Sequence, residues 1–240
     1  MMLNGLGLPK DQAGGAKLII DSAPAVEEDT KALLVAGTLL FHGTGVKKNV
    51  VEAVRYYRLA ADRKDPKGEQ AINEVQAAAV AGLGADEAKR GFDCLQGNGV
   101  PKDEAKALAL LKEAAEAGSI AATGMVGRMY FKGMGTKADP ARGALYWHVA
   151  ALLGSRPAKL DYGLARINGE GVVKDEADGL VWINNAAAHG DTGAHEVLGE
   201  LYEKGAAGLP RDLARARAEY QSAAAAGSAF AKGALERLGK

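Results

Sequence analysis

Residues 121–154 read AATGMVGRMYFKGMGTKADPARGALYWHVAALLG. A helix-like run ends at the glycine pair Gly133 and Gly135, and a second run begins after Asp139. Asp is a good helix N-cap because its side-chain oxygen accepts a bond from an otherwise orphaned N–H of the first turn. Pro140 follows it, at the first helical position where proline is best tolerated. The second run closes on Ala150 and Ala151, and Gly154 stands where a left-handed stop residue belongs. The stretch therefore reads as helix, glycine turn, helix, short turn.

The same phrase recurs along the chain. Glycine pairs stand at Gly5 and Gly7, Gly43 and Gly45, Gly97 and Gly99, Gly133 and Gly135, and Gly169 and Gly171, with a looser version at Gly205 and Gly208. From Gly97 onward the step is 36 residues. Six residues before a pair stands another glycine, at Gly37, Gly91, Gly127, Gly163 and Gly199. Six after it stands a capping residue, at Asp11, Asn49, Asp103, Asp139 and Asp175, with Asp212 displaced by an insertion. A fixed period of this length is the mark of a repeat array, and glycine and alanine at recurring positions let neighbouring helix backbones approach closely. The isolated G-x-G motif also occurs in phosphate-binding loops, but there it follows a strand; here it follows a helix and repeats.

These residues resemble the SEL-one-like repeat, a relative of the tetratricopeptide repeat. Gly127, Tyr130, Gly133, Gly135, Asp139, Trp147, Ala150 and Ala151 carry the likeness in residues 121–154. Tyr202 fills the tyrosine slot again, whereas Leu40, Cys94 and Arg166 depart from it, and Tyr57 and Tyr220 occupy the tryptophan slot. The resemblance implies an all-α fold, a right-handed α-solenoid (superhelix) of stacked antiparallel helix pairs with about 36 residues per repeat. The expected organisation is one solenoid over residues 1–240, with a partial repeat at 5–26, repeats at 27–64, 83–118, 119–154, 155–190 and 191–227, and a capping helix at 228–240. An extra half-repeat at 65–82 reads as a second helix whose partner is lost, because Gly82 and Gly118 are one period apart. The opening copy begins at its glycine turn, which suggests either that residues preceded Met1 or that residues 1–10 cap the stack.

A superhelix of this kind puts the first helix of each pair on its concave side. The positions five, two and one before each glycine pair are expected to face that groove and bind a partner. They are Thr38, Phe41 and His42; Phe92, Leu95 and Gln96; Arg128, Phe131 and Lys132; Leu164, Ile167 and Asn168; and Glu200, Glu203 and Lys204. Phe41, Phe92, Leu95, Phe131, Leu164 and Ile167 form an apolar strip that either meets a partner or packs between neighbouring first helices.

Composition narrows the function. Thirty basic and thirty acidic residues cancel, so no global field attracts nucleic acid or an anionic membrane. No apolar run approaches the length of a membrane span. The single cysteine, Cys94, forms no internal disulfide and reads as a small buried hydrophobe. His189 and His195 lie on different helices without a third ligand, so neither a metal nor another cofactor is expected, and no nucleophile with a base is apparent. The expected function is a non-catalytic adaptor or regulator that binds another protein along its concave groove. The resemblance implies such adaptors in membrane-associated complexes, envelope assembly and signalling. The alanine-rich composition looks bacterial, which favours the periplasm or cell envelope. An immunity protein neutralising a secreted toxin enzyme is one alternative. A lactam-binding or hydrolysing enzyme, like cysteine-rich members of the family, is another, although those pair their cysteines.

Overall fold

The computed structural model describes residues 11–23, 30–80 and 82–239. These form thirteen helices, with no strand among the described residues. The glycine turn at Gly5 and Gly7 and the cap expected of residues 1–10 lie outside the described residues. The chain divides into two units, Met1–Ala138 and Asp139–Lys240.

In the first unit the helices are α1 (Gln12–Ser22), α2 (Thr30–His42), α3 (Val50–Asp62), α4 (Pro66–Val80), α5 (Ala85–Gln96), α6 (Glu104–Ala117) and α7 (Ile120–Lys132). In the second they are α8 (Pro140–Leu152), α9 (Arg156–Asn168), α10 (Glu176–Ala188), α11 (Thr192–Lys204), α12 (Leu213–Ala225) and α13 (Ala229–Leu238). The capping residues sit where the period places them. Asp11, Asn49, Asp103, Asp139, Asp175 and Asp212 each accept a backbone N–H of the following first turn. Their own amides are used as well. Asn49 N–H donates to Leu40 O and Asp103 N–H to Cys94 O, while Asp175 N–H donates to Arg166 O and Asp212 N–H to Tyr202 O, at 2.8–3.0 Å. The tyrosine slot thus contributes through its carbonyl, which explains why leucine, cysteine or arginine can stand there.

Close backbone packing accounts for the glycine six residues before each pair. A methyl group at Gly199 would lie 2.5 Å from the Tyr220 ring, and one at Gly37 would lie 2.4 Å from the Tyr57 ring. At Gly91 and Gly163 the side chains pressed against the glycine are Leu111 and Ile183. Each of these four is the large residue of a second helix, and it packs flat on the first helix of its own pair only because that helix has no Cβ there. The alanine pairs have a matching role. Ala60, Ala114, Ala150, Ala186 and Ala223 are fully buried. Their carbonyls accept the N–H of Asp65, Ser119, Ser155, Asp191 and Ser228, the residues that precede the next first helix.

That last pattern corrects the reading of residues 65–82. The turn from Ala60 to Asp65 is the one that elsewhere leads from a second helix into a first helix, and α4 packs on α3 as α7 packs on α6. Helix α4 is therefore a first helix that no second helix follows. On the opposite layer α6 meets α3 directly, and Lys47 Nζ, in the turn before α3, lies 2.7 Å from Glu116 Oε2. The second glycine of a pair reports the same interruption. Methyl groups at Gly45, Gly135 and Gly171 would each collide with the first turn of the preceding second helix, at Gln12 O, Glu104 O and Pro140 O, whereas at Gly99 nothing lies within 4 Å.

Candidate functional site

Each unit carries part of the expected site on its first helices. The position one before the glycine pair is exposed in every repeat: His42, Gln96 and Lys132 in the first unit, Asn168 and Lys204 in the second. It lies at the C-terminal end of its helix, just before the left-handed glycine, so its side chain leaves the stack.

The position two before the pair is placed differently. Leu95 and Ile167 are buried, 9% and 8% exposed, and Phe41, Phe131 and Glu203 are half-buried. Ile167 lies against Gly179 of α10, where an added methyl would come 2.6 Å from Ile167 Cγ1. At Ile167 this position therefore turns toward its own second helix, and Ile167 belongs to a core cluster with Ile183, Ala194 and Leu198. Leu164 packs against the same cluster. Phe92 and Arg128 are half-buried as well. Leu95, Leu164 and Ile167 of the apolar strip are thus engaged in packing, and none of its six residues is among the exposed large hydrophobic side chains.

Local contacts set the chemistry of the remaining positions. Thr38 is exposed; its hydroxyl donates to Leu34 O at 2.9 Å and accepts from the Tyr57 hydroxyl at 3.3 Å. Phe41 meets the His42 ring edge-on at 4.9 Å between centroids, and Lys48 Nζ lies 5.5 Å from the Phe41 centroid. Glu200 and Lys204 pair at 2.6 Å one turn apart. Glu203 is not a free acid at the rim. Its carboxylate accepts the Tyr220 hydroxyl at 2.9 Å and the Arg237 guanidinium, with Nη2 to Oε2 at 3.0 Å. Arg237, and then Tyr220, hold the Glu203 carboxyl below its ordinary range. Burial, and then the bond to Glu203, push the Tyr220 hydroxyl up. Glu203 thereby ties α13 to α11.

Neither that tie nor the role of Arg166 in the tyrosine slot has a local sequence signature. Its guanidinium donates to Asp178 Oδ2 at 2.8 Å, to Val173 O at 2.7 Å and to Asp175 Oδ2 at 3.0 Å, fixing the turn before α10. Both histidines considered as metal ligands are engaged elsewhere. His189 Nδ1 lies 2.7 Å from Asn185 O, and His195 Nδ1 lies 2.7 Å from Glu219 Oε2. His148 stacks on Tyr162 at 4.5 Å. Among the described residues no group of three or more His, Cys, Asp and Glu side chains is placed to hold a metal ion, and no helix is long and apolar enough to cross a membrane. Cys94 is buried.

Comparison with known proteins follows this geometry. The Sel1 repeat pattern matches residues 1–18, 30–65, 87–119, 120–155, 157–191 and 194–228. A Sel1 repeat protein from Oxalobacter formigenes is 30% identical, with 94% of this chain and 84% of that one covered at a TM-score of 0.55. A protective antigen of uropathogenic Escherichia coli displaying an SLR fold is 24% identical, and 98% of this chain aligns to 54% of that one at a TM-score of 0.60. This chain thus spans about half of the antigen, and the likeness concerns fold alone. An immunity protein of Pseudomonas aeruginosa is more distant, at 16% identity and a TM-score of 0.37 over 90% of this chain and 75% of that one. No curated protein matches the sequence. With repeat matches over most of its length and a solved relative aligned across nearly all of it, the chain belongs to the Sel1 repeat family.

Proposed function

We propose that this protein is a non-catalytic interaction module that grips a partner protein with the exposed positions of its first helices. One observation carries the reading. Positions that repeat in kind, the glycine six before each pair and the leading alanine of each alanine pair, are buried, whereas the position just before each pair is exposed and changes from His42 to Gln96, Lys132, Asn168 and Lys204. In a repeat array the invariant positions serve the stack, and exposed variable ones are left for recognition. Protein binding is also what membership of the Sel1 repeat family favours. On each unit the neighbouring first-helix residues belong to the same proposed face: exposed Thr38 with half-buried Phe41, Phe92, Arg128 and Phe131 on the first, and half-buried Leu164 and Glu200 on the second.

The test uses side chains whose replacement leaves the core intact. The partner is isolated on the chain and its affinity measured by calorimetry for His42→Glu, Gln96→Glu, Lys132→Glu and Asn168→Glu, singly and together. Lys106→Glu and Gln221→Glu, exposed on second helices, serve as controls. The combined first-helix variant is expected to lose at least about tenfold in affinity, the scale of charge mismatch at an interface. Equal affinity in that variant, or a larger loss in the second-helix controls, refutes the assignment.

A further inference from the structure

Helices α2 and α4 are neighbouring first helices, both packed on α3. Helices α2 and α4 are pinned at their N-terminal ends, where the Thr30 hydroxyl donates to Asp65 Oδ2 at 2.6 Å. Beyond that tie a cavity of about 290 Å3 opens between them. Tyr57 of α3 is its floor, Leu34 and Thr38 form the α2 wall, and Lys67, Gln70, Ala71 and Glu74 form the α4 wall. The four α4 residues fall at three- and four-residue intervals, so they share one face of that helix.

The polar groups within the cavity are mostly acceptors. Thr38 gives its proton to Leu34 O and Tyr57 gives its proton to Thr38, so both oxygens keep lone pairs toward the space. Glu74 accepts the Gln70 amide at 3.0 Å. Burial, together with the nearby Glu74 charge, outweighs the Thr38 bond and raises the Tyr57 hydroxyl above its ordinary pKa, which keeps it neutral. Lys67 does not neutralise Glu74. It stands two helical turns away, about 10 Å by the rise of an α-helix, at the closed end beside Asp65, whose carboxyl it helps to hold low. Leu34 and Ala71, both half-buried, supply the apolar part of the walls.

We propose that this cavity receives a basic side chain of the bound partner polypeptide, its aliphatic stem between Leu34 and Ala71 and its cationic head on the Glu74 carboxylate. An apolar side chain would strip water from Glu74 and the Tyr57 hydroxyl without replacing the lost hydrogen bonds, and an acidic one would face Glu74 directly. A long basic side chain satisfies both halves of the site, because its stem is apolar and its head a donor. The proposal deepens the reading of the first helices as the binding face and rests on it.

The experiment titrates the full chain with N-acetylarginine amide, N-acetyllysine amide, N-acetylnorleucine amide and N-acetylglutamate amide, following backbone amide shifts by NMR. Saturable shifts centred on α2 and α4 are expected with the two cations, and Glu74→Gln is expected to weaken them about tenfold, the loss of one charge-assisted hydrogen bond. No saturable shift on α2 and α4, equal binding of the norleucine probe, or unchanged cation binding in Glu74→Gln overturns the proposal. Partner affinity of Glu74→Lys separates this inference from the wider one. If the partner binds Glu74→Lys as well as wild type, while the exposed first-helix substitutions weaken it, the cavity assignment fails and the binding face stands. If those substitutions have no effect, the binding face itself fails.

Discussion

Alanine at Gly171 and alanine at Gly99 make the same chemical change in the same backbone conformation, with φ at 74° and 70°. Forcing an L residue into the left-handed region costs roughly 1–2 kcal/mol at either site. The surroundings separate the two. At Gly171 the new methyl carbon would lie 2.2 Å from Pro140 O, 2.3 Å from Pro140 C and 2.7 Å from Ala141 N, all backbone atoms of the first turn of α8. Backbone yields only if the turn lifts away from α8, and overpacking of this kind costs about 1–3 kcal/mol more. At Gly99 no atom lies within 4 Å, because no second helix follows α4 to provide a first turn beneath it. Gly171→Ala should therefore destabilise by roughly 2–5 kcal/mol and Gly99→Ala by about 1–2 kcal/mol. For a chain of this size the difference corresponds to a gap of roughly 2–12 °C in melting temperature. Because repeat stacks can unfold piecewise, circular dichroism melts should be paired with hydrogen exchange over residues 140–175. Equal destabilisation at the two glycines, with no added exchange at the start of α8, would refute a role for Gly45, Gly135 and Gly171 in contact between successive repeats.

Two further predictions concern the second unit. Replacing Arg166 by alanine removes donors to Asp178, Asp175 and Val173 O, so exchange across residues 169–175 should accelerate and stability fall by roughly 1–3 kcal/mol; an unchanged turn would show that the network is incidental. The Glu203 carboxyl is depressed in the folded state, chiefly by Arg237, so its contribution is complete above the unfolded glutamate value of about 4.3 and is lost as pH falls through the lower folded value. Docking of α13, read by limited proteolysis with an acid-active protease, should loosen in that acid window, and Arg237→Ala should loosen it already at neutral pH. Identical α13 protection at neutral and strongly acidic pH contradicts the tie.

Much of this architecture is legible in the sequence because it is set by residues that recur with the period. The caps at Asp103, Asp139 and Asp175 and the glycines at 91, 163 and 199 have physical jobs that few residue types can do, so they mark the helices directly. What escaped depends on pairs far apart in sequence or on the direction in which a side chain leaves its helix. Arg237 reaches Glu203 from a helix two elements later, and no local pattern foretells it. Spacing alone leaves Ile167 either on the groove or packed between first helices, and the direction of its side chain, against Gly179 and beside Ala194 and Leu198, decides for packing. The role of α4 follows from its beginning rather than its end. Asp65 stands as far beyond Asn49 as Ser119 beyond Asp103 and Ser155 beyond Asp139, a spacing present in the sequence that identifies a first helix and, with it, the cavity.

In the proposed function recognition happens on the first helices and the second helices support them. Hydrogen exchange of the chain alone and saturated with its isolated partner tests this most directly. Added protection is expected on α2, α4, α5, α7, α9 and α11, strongest in α2, α5, α7, α9 and α11 at the C-terminal ends next to the glycine turns. Protection concentrated instead on α3, α6, α8, α10 and α12, with the first helices unchanged, would contradict it.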